Sequence, residues 1–281
     1  MKSIPKPTDD IETVYTHCIS IVGDQVLKEK LAEASHLIVE AANELDIKVS
    51  TGEVYTIIRE NTVNGNLSIE DLNGVYERMR RKGSPGRVFY DKLRLLAPSG
   101  KCPFCSQRIA SQLDHYLPKT KYPRLSVVPY NLVPCCSDCN KSKLTNFPTN
   151  SDEEFLHPYY DNIENELWLK ASIIYSKPPV FKFQVTPPDS WRQPLINRVN
   201  NYFTSLCLND LYSIEAAVEL TGIKRLLSKY YKNGGANKVR NFLSDQAESR
   251  SFESINSWQS AMYQAMSTDD WFCDGGFNKF S

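Results

Sequence analysis

A mainly helical α+β chain with a small metal centre near its middle is what the sequence predicts, on three observations. Apolar residues at helical spacing dominate the first hundred residues and return after Trp191. Two β-like runs lie between, Glu166–Tyr175 (ELWLKASIIY) and Val180–Thr186 (VFKFQVT), separated by a Pro-Pro turn. Five of the eight cysteines fall between Cys102 and Cys139. The 281 residues suffice for one large domain or two or three small ones.

Each element follows in order. Val26, Leu27, Leu31, Ala34, Ile38, Ala41, Ala42 and Leu45 predict one helix over 24–45. A second starts at Ser68, an N-cap with Asp71 three positions on, and runs through Leu72, Val75, Tyr76 and Met79 to Gly83. Ser84-Pro85 opens a third, with Val88, Leu93, Leu95 and Leu96 along it, ending at Pro98-Ser99-Gly100. Beyond the two strands, Leu195, Val199, Tyr202, Phe203, Leu206 and Leu208 mark one helix. Leu211, Ile214, Ala217, Val218 and Leu220 mark the next. The boundaries expected are an N-terminal helical region at 1–83, a metal-centred core at 84–150, and a C-terminal region of short strands then helices at 151–281.

Net charge is zero, from 33 basic and 33 acidic residues, but it is unevenly placed. The window from Glu77 to Phe147 holds 14 Lys or Arg against 4 acidic residues, a net +10. Ser151–Lys170 has six acidic residues and a single lysine. A basic middle between neutral or acidic flanks suits a localised polyanion site; scattered solvated lysines are the bland alternative. The polar start MKSIPKPTDDIETVY does not look like a secretory signal, and no apolar run approaches the roughly 18 residues of a membrane span. The expectation is a cytoplasmic protein with reduced thiols and no membrane partner.

Cys102-Pro-Phe-Cys105 and Cys136-Ser-Asp-Cys139 are two C-x-x-C pairs with 30 residues between them. Zinc prefers tetrahedral thiolate coordination, and each turn brings two sulfurs to one point, so four ligands of a closed structural zinc site are predicted. Cys135 could replace Cys136, but only Cys136 has the two-residue spacing to Cys139. Cys18, Cys207 and Cys273 are isolated and read as core thiols. The 30 residues between the pairs are not needed to bind zinc. They contain Leu113-Asp114-His115-Tyr116-Leu117-Pro118 and Pro129-Tyr130-Asn131-Leu132-Val133-Pro134, and Asn140-Lys141-Ser142-Lys143 follows the last cysteine. The first two read as short strands and the third opens a helix.

This segment, 102–143, resembles the HNH endonuclease family with its ββα-metal fold. The family pattern falls on Asp114-His115, Asn131 and Asn140, with Asn rather than His in the third place. LDHYLPK, YPRLSVVPYNLVPCC and DCNKSK also look like a subgroup of HNH proteins from bacterial antiphage systems, among them Septu-type systems in which the nuclease works with an ABC-type ATPase. The resemblance implies a metal-dependent endonuclease acting on double-stranded DNA, with catalytic residues His115, Asn131, Asn140 and Asp114. His115 would be the general base, since imidazole titrates near neutral pH. Asp114 and Asn140 would offer hard oxygens to Mg²⁺ or Mn²⁺, beside a structural Zn²⁺. Asn131 would orient His115 by a hydrogen bond from the facing strand. Lys119, Lys121, Arg124, Lys141 and Lys143 would contact phosphates.

Each role has a plainer alternative. His115 could be structural, Asp114 could pair with Arg108 or a lysine, Asn140 could cap a helix, and Asn131 could be a turn residue. His157, in His157-Pro158-Tyr159-Tyr160, suits packing on the core better than ligation. Two further readings of the whole chain stand beside the enzyme: a zinc-stabilised nucleic-acid binder without cleavage, and a protein whose helical flanks dock a partner.

Overall fold

The computed structural model describes residues 1–143 and 147–278; 144–146, within the expected 84–150 core, and 279–281 lie outside the described residues. The chain is α+β and about 56% helical. The strands of the described residues form three separate two-stranded sheets. Two compact units divide it, Met1–Asn162 and Ile163–Ser281.

The first unit opens with α1 (Ile11–Ile19), α2 (Gln25–Glu33) and α3 (Ser35–Thr51). The single helix expected over 24–45 is therefore two. Ala34 has ψ 0°, where the helical ladder needs about −42°, and it is fully buried at the bend. The chain turns there so that Leu31 and Ile38 both reach one core. Short strands β1 (Thr62–Val63) and β2 (Leu67–Ser68) are turned by Asn64 and Gly65, at φ 52° and 70°. α4 (Ile69–Arg80) then begins with the capping box foreseen: Ser68 Oγ accepts from the Asp71 N–H at 3.1 Å, and Asp71 Oδ2 accepts from the Ser68 N–H at 2.9 Å.

α5 (Arg87–Leu95) starts after Gly86, not at Ser84-Pro85. The Ser84 hydroxyl serves the end of α4 instead, facing the carbonyls of Arg78 (2.6 Å) and Arg81 (2.8 Å). A Cβ at Gly86 would lie 2.8 Å from Cys18 Sγ, so glycine here is a condition for α5 meeting α1. Tyr90 and Leu93 are the buried residues of α5, whereas Val88 and Leu95 are exposed.

β3 (Gln112–His115) and β4 (Leu132–Cys135) pair antiparallel, and α6 (Ser137–Lys143) follows directly. Pro134 lies opposite Leu113. Proline cannot donate to a ladder, so this pair occupies a position whose backbone groups point outward. The hairpin and the N-terminal helices share one core: Ile11, Val14, Ile38, Leu45, Leu72 and Met79 pack in the same cluster as Leu113, Leu117, Leu125, Val128 and Leu132. Truncating a residue of such a core to Ala costs about 2–5 kcal/mol.

In the second unit β5 (Leu169–Ile174) pairs antiparallel with β6 (Val180–Val185). Its buried Phe181 and Phe183 lie against Phe272 and Tyr212, with ring centroids 6.4 and 5.7 Å apart. α7 (Gln193–Ser205), α8 (Leu208–Glu253), α9 (Trp258–Thr268) and α10 (Asp270–Cys273) complete it. α8 is not one rod. Gly235, at φ 62°, breaks it, and the rings of Tyr230 and Phe242 lie 4.9 Å apart. A straight helix would separate residues twelve apart by about 18 Å. Two arms therefore fold back on each other about Gly234-Gly235. Ile214 and Val218 are exposed, so the helical apolar pattern read there marks only part of the buried face. Cys207 is exposed too, at φ 49° before α8, and is not the core thiol expected; Cys18 and Cys273 are buried. No helix among the described residues is long and apolar enough to cross a membrane.

Candidate functional site

The thiols of Cys102, Cys105, Cys136 and Cys139 are buried, and their sulfurs lie within 4.8 Å of one another. Four thiolates at about 2.3 Å from one tetrahedral zinc sit about 3.8 Å apart. Cys105 Sγ and Cys136 Sγ are 3.9 Å apart, so the cluster has the size a zinc ion requires. Each knuckle also turns a backbone N–H onto a sulfur: Arg108 on Cys105 (3.5 Å) and Cys139 on Cys136 (3.4 Å). Cys135 is buried outside the cluster, as the spacing argument requires. Arg108 pairs with Asp138 at 2.8 Å, so it is not the partner of Asp114.

A two-stranded ribbon is marginal by itself. The outward carbonyls set by Pro134 show how β3 and β4 are held. Tyr76 of α4 donates to Leu113 O at 3.4 Å, Lys143 of α6 to His115 O at 2.8 Å, and Tyr159 to Leu132 O at 2.8 Å. Lys143 also donates to Tyr116 O at 2.9 Å and to Asp114 Oδ2 at 2.8 Å. Every proton of its ammonium is thus used inside the protein.

Asp114, His115 and Asn140 line one cavity of about 340 Å³ with Tyr76, Arg80 and Lys119. Of these, His115 is the best defined. Its Nε2 faces Ser126 O at 2.9 Å; a carbonyl only accepts, so Nε2 carries the proton and Nδ1 keeps its lone pair. Burial, aided by the nearby Lys119 and Lys143 charges and opposed by the Ser126 carbonyl, pushes the imidazole down to about 3, so it is neutral at pH 7 and does not titrate near neutrality as expected of it. The Tyr76 ring stands edge-on to it, centroids 4.5 Å apart. Asp114 is buried against Lys143, which is the lysine pairing weighed above as its alternative. Burial pushes its carboxyl above the usual range, and the ammonium works against that shift. Asn140 lies inside α6, its N–H bonded to Cys136 O at 3.1 Å, so it does not cap the helix.

Two expectations need correction. Asn131 does not hydrogen-bond His115. Fully buried, it accepts from the Leu117 N–H (2.7 Å) and donates to the carbonyls of Leu117 (3.0 Å) and Leu125 (3.1 Å), pinning the loop that joins β3 to β4. The position of the His115 ring is instead set by Ser126 and Tyr76. Lys143 is no surface phosphate contact, because its charge is buried. Of the other basic residues, Lys121 and Lys141 are exposed, while Arg124 pairs with Glu60 at 2.6 Å. His157 packs on the core, Nε2 to Tyr130 O at 2.9 Å, with the Tyr116 ring tilted at 40° and its centroid 4.2 Å away.

Sequence reasoning missed Tyr76, Glu77 and Arg80 as cleft residues. Arg80 pairs with Glu77 at 2.8 Å, and Glu77 also reaches Lys119 at 3.4 Å. Their spacing on α4 was visible; that this edge of the helix closes the cleft was not.

The fold and site define an α+β protein with a four-cysteine cluster beside a polar cleft. No family model matches the chain, and no solved structure does. It is 27% identical to protein ea31 of Escherichia phage lambda, over 98% of this chain and all of that protein. It is also 36% identical over 84 residues to the Septu protein PtuB of Bacillus thuringiensis, a stretch covering 28% of this chain and 32% of that protein.

Proposed function

We propose that this chain is a metal-dependent HNH endonuclease that hydrolyses phosphodiester bonds in DNA, with a catalytic core at 84–150 between the 1–83 and 151–281 regions. The observation that carries the reading is the convergence of Asp114, His115 and Asn140 on one cavity, with His115 neutral and its Nδ1 an acceptor. His115 takes a proton from the attacking water through Nδ1, and its Nε2–H anchor holds the ring in place. Arg80 and Lys119 line the same cavity, both paired with Glu77, and would attract the phosphate in place of that carboxylate. Asp114 and Asn140 are the residues that would hold Mg²⁺ or Mn²⁺, and their oxygens fit a hard cation in kind. When bound, that ion supplies Lewis-acid help to the phosphate and the leaving oxygen. The cysteine cluster holds zinc as a structural clamp, and Asn131 serves as a positioning residue through the loop. Lys121 and Lys141 add exposed positive charge for the DNA backbone.

The partial likeness to a Septu protein supports a role in antiphage defence. An ABC-type ATPase partner is what the resemblance of the 102–143 segment implies. Zero net charge agrees with a nuclease that relies on a partner to reach DNA. One observation favours a second reading: Asp114 is already neutralised by Lys143, as would suit a zinc-stabilised binder without cleavage. A plasmid-nicking assay with Mg²⁺ or Mn²⁺, with and without an ATPase encoded beside this gene, separates the two. Cleavage by the wild type and none by His115→Ala is expected. Intact plasmid under every condition, with DNA still bound, leaves the binder.

A further inference from the structure

The second unit carries a charge pattern that the cleft does not use. Residues 220–244 contain six Lys or Arg and no Asp or Glu, in a chain whose net charge is zero. Arg240 is occupied, pairing with Asp270 at 2.6 Å. Arg225, Lys229 and Lys232 are exposed, and among the described residues they form no ion pair. Their spacing of four and three residues puts them on one face of the first arm of α8. Leu220 and Leu227 are buried on the other side. The three cations line a groove of about 580 Å³, with Gly222 and Asn233 at its ends along the helix. Like charges at i and i+4 repel and weaken a helix, so this face lacks any internal electrostatic justification. A Cβ at Gly222 would meet nothing within 4 Å, which leaves that end of the groove open to an incoming chain.

We propose that this face of α8 is a second nucleic-acid site, which takes the phosphodiester backbone of a DNA duplex. From Arg225 to Lys232 the cations extend about 10 Å along the helix axis. That is too long for one phosphate, and it suits a ribbon carrying about one negative charge per 1.7 Å of duplex. The face offers charge without a base-reading set, so binding is backbone-directed and insensitive to sequence. The choice of DNA rests on the endonuclease reading; the site itself does not.

The test uses the full chain carrying His115→Ala, so that binding is read without cutting. Anisotropy of a labelled DNA duplex is measured against salt. It is compared with the same chain bearing Arg225→Gln, Lys229→Gln and Lys232→Gln, and with one bearing Gly222→Glu. The triple variant should lose about tenfold to a hundredfold in affinity, and its log–log salt slope should fall by about 2.7, or 0.9 per phosphate contact. Gly222→Glu should weaken binding with all three cations in place. A triple variant that binds with the parent's affinity and slope overturns the proposal, as does a parent that does not bind duplex. Phosphatidylcholine vesicles containing phosphatidylserine form a second arm; loss of vesicle binding with duplex binding intact also overturns it. A wild-type chain that binds duplex through this face but never cuts keeps the site and sinks the endonuclease reading.

Discussion

The cysteine cluster and the His115 cleft are built by the same segment, yet they are opposites in construction. The cluster is closed: four buried sulfurs, each pair on its own tight turn, with backbone N–H groups folded onto them. The cleft is open, and its side chains come from α4, α5, β3, the loop after β3 and α6. The cluster would gain its energy from one ion, whereas the ribbon beside the cleft is held by many single hydrogen bonds from outside it. The difference separates what can be removed without unfolding from what cannot. Soft ligands sealed from water suit a structural metal, and mixed polar groups on an accessible wall suit chemistry.

The sharpest way to break this contrast is at the cluster. Chelation, or Cys102→Ser, should melt the first unit, because structural zinc contributes about 10–16 kcal/mol in small zinc domains. Metal analysis should give one zinc per chain, and near-ultraviolet circular dichroism should collapse with its loss. A variant that loses zinc and keeps its melting temperature would make the cluster an ornament. At the cleft the opposite is expected. His115→Ala should slow cleavage by about 10²–10⁴-fold, the usual worth of a general base, while the melting temperature moves little. Equal losses of stability and rate would assign His115 to the scaffold.

Lys143 tests the boundary between the two regions. Lys143→Met leaves the buried Asp114 carboxyl without its partner and should cost about 3–5 kcal/mol in urea unfolding. Adding Asp114→Asn should recover part of that loss; no recovery would mean that the carbonyls of His115 and Tyr116, not the ion pair, are what Lys143 chiefly holds. The smallest effect is expected from Tyr76→Phe. It removes one long hydrogen bond to Leu113 and keeps the ring against His115, so about 0.5–1 kcal/mol should be lost. A larger loss would show that the ribbon depends on α4 more than on α6.

Legibility divided along the same line. C-x-x-C spacing prescribes two convergent sulfurs per turn by local geometry, and the capping box at Ser68 fixes a helix start within four residues. Longer elements were less legible. The pattern over 24–45 could not announce the break at Ala34, because both helices bury the same apolar residue types. Ser84 has the chemistry of a cap, but its hydroxyl faces carbonyls at the end of α4. Asn131 could be singled out by position, but its partners, Leu117 and Leu125, follow from the path of a loop.

By itself, then, the sequence determined the two C-x-x-C turns, the short strands and helix near them, and the side chains available for chemistry, since each turn and element is set by residues a few positions apart. Tertiary structure decided that Lys143 is buried against Asp114, that Ser126 sets the tautomer of His115, and that Arg80 of α4 lines the cleft. Those contacts join separate elements and loops, and only packing of a shared core brings them within bonding distance.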